Sequence, residues 1–436
     1  MAPLLIYTQN TSARLVYVLD WLFGERLGID YRLVQEDAKP GSYSFAISYG
    51  IARPDCLSIP DAGLLWQNGV EHVDIISGAW NGVPTLFHKS ESAHSVPFDL
   101  FSAIFFLLSR YEEYYPFIPD RHNRYPPQES VLYHWLDRPI VDEWIGIIKR
   151  ELINAGVSLN ENPFSFLPTY DIDIAWSYKY KGVARTIGAS VRDLVKGNSK
   201  NMRTRFSVLS GKTDDPYDSF SALERIHQQN AISPVYFILA ALRTTAFDKN
   251  IPPSNLQMRS LTQRLAEKGT VGIHPSYYTG ERPEQLTSEK RELERIIDAP
   301  VTISRQHYIK LHLPATYHTL LANNITDDYS MGYGSKSGFR AGTGCSFLWY
   351  DLSLERPAPL RIHPFCFMDT TAHYDEGLTS EQAFLKLDSY ANILQQTNSR
   401  LVTVFHNFSL GTDKEWKGWR ELYEKFIACH ARFFIS

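Results

Sequence analysis

Apolar residues along this chain follow two periods, one close to two residues and one close to four, and they change places repeatedly. Leu4–Tyr7 suits a short buried strand, and Ser12 is placed to cap a helix in which Leu15, Leu19, Leu22 and Phe23 recur at helical spacing, with Gly28 near its end. Tyr31–Val34 and Ala46–Tyr49 predict further strands. The run FDLFSAIFFLLSRYEEYY is apolar around most of a helical circumference, as expected of a helix inside the protein. Its paired glutamates read as a charged face at the solvent end. A proline-rich loop follows (Pro116, Pro119, Pro126, Pro127). Pro139 then opens an amphipathic helix carrying Val141, Trp144, Ile145, Ile148 and Leu152, stopped by Gly156.

The polar stretch VSLNENP, Val157 to Pro163, marks a boundary between a small α/β N-terminal domain, 1–160, and a second domain, 161–436. Beyond it, apolar runs alternate with helical patterns: FSFLPTYDIDIAW, SPVYFILA, TVGIHPS, PVTISRQHY, ITDDYS and LVTVFHNF are the strands. Such alternation predicts parallel strands joined by crossover helices.

Size and charge narrow the choice of function. A chain of 436 residues suits two or three domains. Its 44 lysines and arginines against 48 acidic residues leave a charge of −4, which gives no field for a phosphate backbone and excludes nucleic acid as the expected partner. Cys56, Cys345, Cys366 and Cys429 are scattered, with no Cys-x-x-Cys pair, and read as free buried thiols of a reducing compartment. The N-terminus lacks the layout of a secretory signal. The most apolar stretch, Phe98 to Leu108, is too short to cross a bilayer. A cytoplasmic protein with no membrane span is expected.

The chemistry is read from where ionisable residues meet the strands, because parallel β/α folds bind ligands at strand carboxyl ends. Four apolar strands end in such groups: Asp171 with Asp173, His274, Arg305 with His307, and His406. Asp171 and Asp173 are two apart on an extended segment and share a face. That suits one carboxylate on a metal and the other as general base, although Asp-x-Asp alone reads better as an ordinary strand end. His274 precedes Pro275, which keeps it out of helical geometry, and a neutral imidazole there is a good ligand for zinc or a similar ion. Arg305 can fix a carboxylate by paired hydrogen bonds. His406 can donate a proton to a leaving group. Each of these residues taken singly also fits a plain structural role. Asp328, Arg340 and Tyr278 are the candidate substrate contacts, with turn chemistry an equal account of the first two. No Gly-x-Ser-x-Gly elbow and no phosphate loop are present.

Taken in order, TYDID, GIHPS, SRQHY and VFHN resemble the motifs of the polysaccharide deacetylase (NodB-homology) superfamily, over roughly the last 270 residues. With FDLFSAIFFLLSRYEEYY and FRAGT, the chain is similar to a group of bacterial two-domain deacetylase-like proteins. The resemblance implies an irregular parallel (β/α) barrel of the deacetylase type, one divalent ion (zinc foremost) and a carbohydrate or glycan-precursor substrate. It also implies Asp171 as general base, Asp173 and His274 as metal ligands, Arg305 as brace for the base and His406 as general acid. One departure stands out. The family's second motif supplies another histidine four positions on, where this chain has Tyr278. His307 is the candidate for that missing ligand, since catalytic zinc sites use three protein donors. The expected activity is removal of an acetyl or similar acyl group from an N-acetylated sugar. The alternatives are an inactive barrel that binds or scaffolds carbohydrate, and hydrolysis of a small cyclic amide.

Overall fold

A computed structural model of the chain describes residues 3–35, 45–89 and 93–433. The N-terminal part forms a four-stranded sheet from β1 (Leu4–Thr8), β2 (Tyr31–Val34), β3 (Ala46–Tyr49) and β4 (Leu57–Ile59), all parallel in the order β2-β1-β3-β4. Ser12 caps the helix Ala13–Leu19 as its sequence suggests, its hydroxyl accepting from the Leu15 amide. A two-stranded ribbon, β5 (Gly78–Trp80) and β6 (Val83–Thr85), follows.

The wholly apolar helix runs Leu100–Leu108, capped by Asp99, and every residue in it is buried. It stops earlier than its sequence suggests because Arg110 takes a left-handed conformation, φ 54°. That residue turns the chain, so Glu112 and Glu113 point inward instead of forming a charged solvent face. Glu113 bridges Arg110 (2.8 Å) and Arg340 (2.5 Å), all three side chains being buried. Burial pushes the Glu113 carboxyl up, but the two guanidinium groups outweigh it and hold it below the usual range. Arg340 therefore joins the two halves of the chain.

The larger sheet holds nine strands: β7 (Ser165–Ile172), β8 (Val235–Leu239), β9 (Thr270–His274), β10 (Ile303–Ser304), β11 (Asp327–Asp328), β12 (Phe347–Asp351), β13 (Arg356–Ile362), β14 (Phe367–Met368) and β15 (Arg400–His406). Their order is β12-β13-β11-β10-β9-β8-β7-β15-β14, and every pair is parallel except β12–β13. This is an α/β sheet curled into an irregular barrel. Among the described residues it does not close, because β12 and β14 are edges. The crossover helices include Phe220–Gln229, Leu256–Lys268 and Pro283–Ile297. The expected strands PVTISRQHY and ITDDYS shrink to two paired residues each, because left-handed Tyr308 and Ile309 break the first.

One buried apolar cluster runs from Leu4 to Ile427 and takes in both sheets. Side chains of the first helix and of the helical turn Asp20–Arg26 that continues it reach the barrel edge: Tyr17 Oη donates to the Leu348 carbonyl (2.7 Å), and Trp21 Nε1 to that of Ser346 (3.0 Å). Arg14 pairs with Glu355 at 2.6 Å. No disulfide forms; Cys345 and Cys366 are buried as expected, whereas Cys429 is exposed. Among the described residues, no helix is long and apolar enough to cross a membrane.

Candidate metal centre

Strand register assembles the site. Asp171 on β7 lies beside His406 on β15 and beside Phe237 on β8, while His274 on β9 is beside Leu239 on β8. Ionisable side chains from neighbouring carboxyl ends thus meet at one mouth, above a floor of valines, leucines and phenylalanines. Asp173 lies just beyond β7, and His307 opens a short turn after β10. These groups line a cleft of about 600 Å³.

Asp173, His274 and His307 each offer a ligand atom, all within 4.8 Å of one another. His274 Nε2 is 3.1 Å from Asp173 Oδ1, and His307 Nε2 is 3.4 Å from Oδ2. His406 Nε2 stands 3.4 Å from the same Oδ2. Yet Asp173 Oδ1 is buried and makes no hydrogen bond. A buried carboxylate with one imidazole Nε2 on its first oxygen and two on its second is a grouping that suits a shared cation. The donor set, two imidazoles and a carboxylate, suits zinc or a neighbouring first-row ion.

A second layer sets which nitrogen faces the cleft. His274 Nδ1 donates to the Arg305 carbonyl (2.5 Å), His307 Nδ1 to Asp248 (3.0 Å) and His406 Nδ1 to Asp369 (2.6 Å). In all three rings Nε2 is left for the cleft, the arrangement typical of metal-ligating and acid–base histidines. Burial opposes charge on Asp173, His307 and His406, but the attractions win. His307 and His274 hold the Asp173 carboxyl well below its usual range, and Asp173 and Asp248 raise His307 to about 9. Burial lowers His406 as well, yet Asp369 and Asp173 carry it well above an ordinary imidazole.

Asp171 is placed differently. Its Oδ1 accepts from Arg305 Nη1 at 2.8 Å, and the same nitrogen donates to Thr169 Oγ1 at 2.7 Å. Arg305 is fully buried, fixed further by donating from Nε to the Tyr329 carbonyl (3.0 Å) and by lying over the Phe237 ring (4.4 Å). Asp171 Oδ2 is then aimed toward His274, 3.8 Å away.

Six of the nine residues singled out in the sequence meet here; the other three do not. Asp328 is buried in the sheet, where Ser304 and Ser330 donate to it, and burial raises its carboxyl to about 6. Arg340 is engaged by Glu113. Tyr278 faces a separate depression with Arg282 and Gln285. Two residues behind the rings were missed. Asp369 directly follows the short β14, so the strand-end rule would have found it had that strand been recognised. Asp248 sits in an irregular loop with no periodic signal. Arg121 and His122, from the N-terminal part, also line the cleft, and nothing in their spacing foretold it.

Comparison with known proteins adds two findings. A model described as a family of unknown function, DUF7033, matches residues 4–156. No curated protein matches the chain. Among solved structures, the chain is similar to a putative polysaccharide deacetylase from Mycobacterium smegmatis, at 12% identity and TM-score 0.40, covering 62% of this chain and 84% of that one. It is also similar to a probable polysaccharide deacetylase from Pseudomonas aeruginosa PAO1, at 10% identity and TM-score 0.39, covering 73% and 92%. The polysaccharide deacetylase Bc1974 from Bacillus cereus matches at 11% identity and TM-score 0.30, covering 62% and 91%.

Proposed function

We propose that this chain is a divalent-metal hydrolase of the polysaccharide-deacetylase type, removing an acetyl or similar acyl group from an N-acetylated sugar or glycan precursor. The observation that carries the reading is the cluster of Asp173, His274 and His307, with a braced Asp171 on one side and His406 on the other. Asp173, His274 and His307 would hold the ion, which when bound acidifies water and offsets negative charge on a carbonyl oxygen. Asp171, aimed by Arg305, takes a proton from the attacking water. His406 Nε2 gives a proton to the departing amine, and Asp369 holds the ring for it. His307 takes the place of the ligand that Tyr278 leaves out, which favours an active site over an inert barrel.

Residues 1–160 and 161–436 are read as two units sharing this cleft, the first contributing Arg121 and His122 to its substrate wall. The proposed setting is the cytoplasm, where a precursor is the expected substrate. The test is acetate release from a panel of N-acetylated sugars by zinc-loaded protein, by chelated protein and by Asp171→Asn. Release is expected only from the first. Protein that binds no metal and releases nothing would make the barrel a binding module.

A further inference from the structure

Between β7 and the helix Phe220–Gln229, the chain makes a hairpin of two helices, Val183–Val195 and Ser199–Leu209. Its amphipathicity is inverted. On a helix at the surface of a globular protein, the apolar stripe faces the core. Here Val183, Ile187, Val191, Leu194 and Val195 fall on one face at helical spacing, and that face is turned to solvent, each residue between 54% and 82% exposed. Part of the polar side turns inward: Asp193 is buried and paired with Arg205 of the second helix at 2.7 Å, and Arg205 also donates to Ser190 at 3.1 Å, while Arg192, Lys196, Lys200 and Arg203 stay exposed. Phe206 and Leu209 of the second helix are exposed as well. An exposed apolar face of this kind calls for an occupant.

Charge names the occupant. Residues 179–212 contain nine lysines and arginines and a single acidic residue, Asp193, in a chain whose overall charge is −4. A second copy of the same hairpin would bring like charges together. An exposed apolar face on strongly basic helices too short to span is the makeup of an element that lies in a membrane interface. The hairpin also adjoins the cleft. It follows Asp173 after a short loop, and Arg185 Nη2 donates to the carbonyl of Lys249 (2.8 Å), a residue of the cleft wall.

We propose that the helices 183–209 seat the protein on an anionic lipid surface, the apolar face entering the headgroup boundary and the lysines and arginines meeting lipid phosphates. If the hydrolase reading holds, on which this consequence rests, the acylated glycan is presented from that surface, as a lipid-borne sugar would be.

The full-length protein is tested by sedimentation with phosphatidylcholine vesicles, with and without about 30% phosphatidylglycerol. Binding is expected on the anionic vesicles, weaker by about tenfold or more on neutral ones and in high salt. The double variant Ile187→Glu, Val191→Glu should lose about tenfold or more in binding, with metal content and melting temperature unchanged because both positions are exposed. A charge variant, Lys196→Gln, Lys200→Gln, Arg203→Gln, should lose the preference for anionic lipid. The proposal is overturned if the wild type ignores the vesicles or if the double variant binds them as well. It is also overturned if that variant instead dissolves a dimer that ignores lipid, which would make the face a protein interface. Vesicle binding is read without substrate, and acetate release without vesicles, so either reading can fail alone.

Discussion

Removing His307 should empty the centre, and removing the carboxylate behind it should loosen the centre by a calculable amount. His307 presents Nε2 toward Asp173 only because its Nδ1 is held by Asp248 at 3.0 Å. Asp248 is fixed in turn by the Tyr277 amide (2.9 Å) and the Thr245 hydroxyl (2.8 Å). Loss of such an outer carboxylate lowers metal affinity on the order of 10–100-fold, or about 1.4–2.8 kcal/mol. Asp248→Asn should therefore weaken zinc binding within that range. His307→Ala leaves a carboxylate and one imidazole, and should cost more. Because Asp248 acts through His307, the double variant should bind no more weakly than His307→Ala alone. Competition against a chromogenic chelator gives the affinities, and elemental analysis gives zinc per chain. Melting curves of the metal-free variants separate a structural loss from a coordination loss. If His307→Ala keeps the wild-type zinc affinity, the three-donor centre is wrong. Additive losses in the double variant would detach Asp248 from His307.

Two further outcomes rest on buried charge. Glu113→Gln leaves Arg110 and Arg340 without their shared carboxylate, and should cost about 3–5 kcal/mol, seen as a lowered melting temperature; an unchanged one would mean the trio contributes little. His227, hydrogen-bonded to Tyr170 (2.7 Å) and Tyr236 (3.3 Å), is pushed by burial from 6.5 down to about 4. The unfolded chain therefore takes up its proton first as pH falls. The stability linked to this ring is complete above pH 6.5 and is lost toward pH 4, by about 3 kcal/mol in total. Urea unfolding should show that loss in the wild type and a shallower one in His227→Phe; equal slopes would remove His227 as the cause.

The sequence disclosed the parts of the site that obey a local rule. Asp171, Asp173, His274 and His406 end apolar runs, so a parallel sheet delivers them to one mouth. Arg305 and His307 lie beyond a strand of only two residues, yet the apolar run before them still pointed to the spot. Asp248 escaped because its loop has no period, and Asp369 because a two-residue strand has none either. Glu113 was misplaced because one left-handed residue, Arg110, reversed the direction that a continuing helix would have imposed. The helices 183–209 drew no attention for a physical reason: a stripe aimed away from the core satisfies no expectation built on burial. The hairpin β12–β13 was likewise unforeseen, since Pro357 and Pro359 obscure its alternation.

The first helix of the chain has a consequence for how the protein can be cut. β12 is an open edge of the large sheet, and such edges recruit other strands unless something occupies them. Tyr17 and Trp21 occupy the carbonyls of Leu348 and Ser346, and Arg14 secures the Glu355 turn beside them. A barrel expressed from residue 161 onward would lose this seal, and would be expected to clump through β12 before any question about its chemistry could be asked of it.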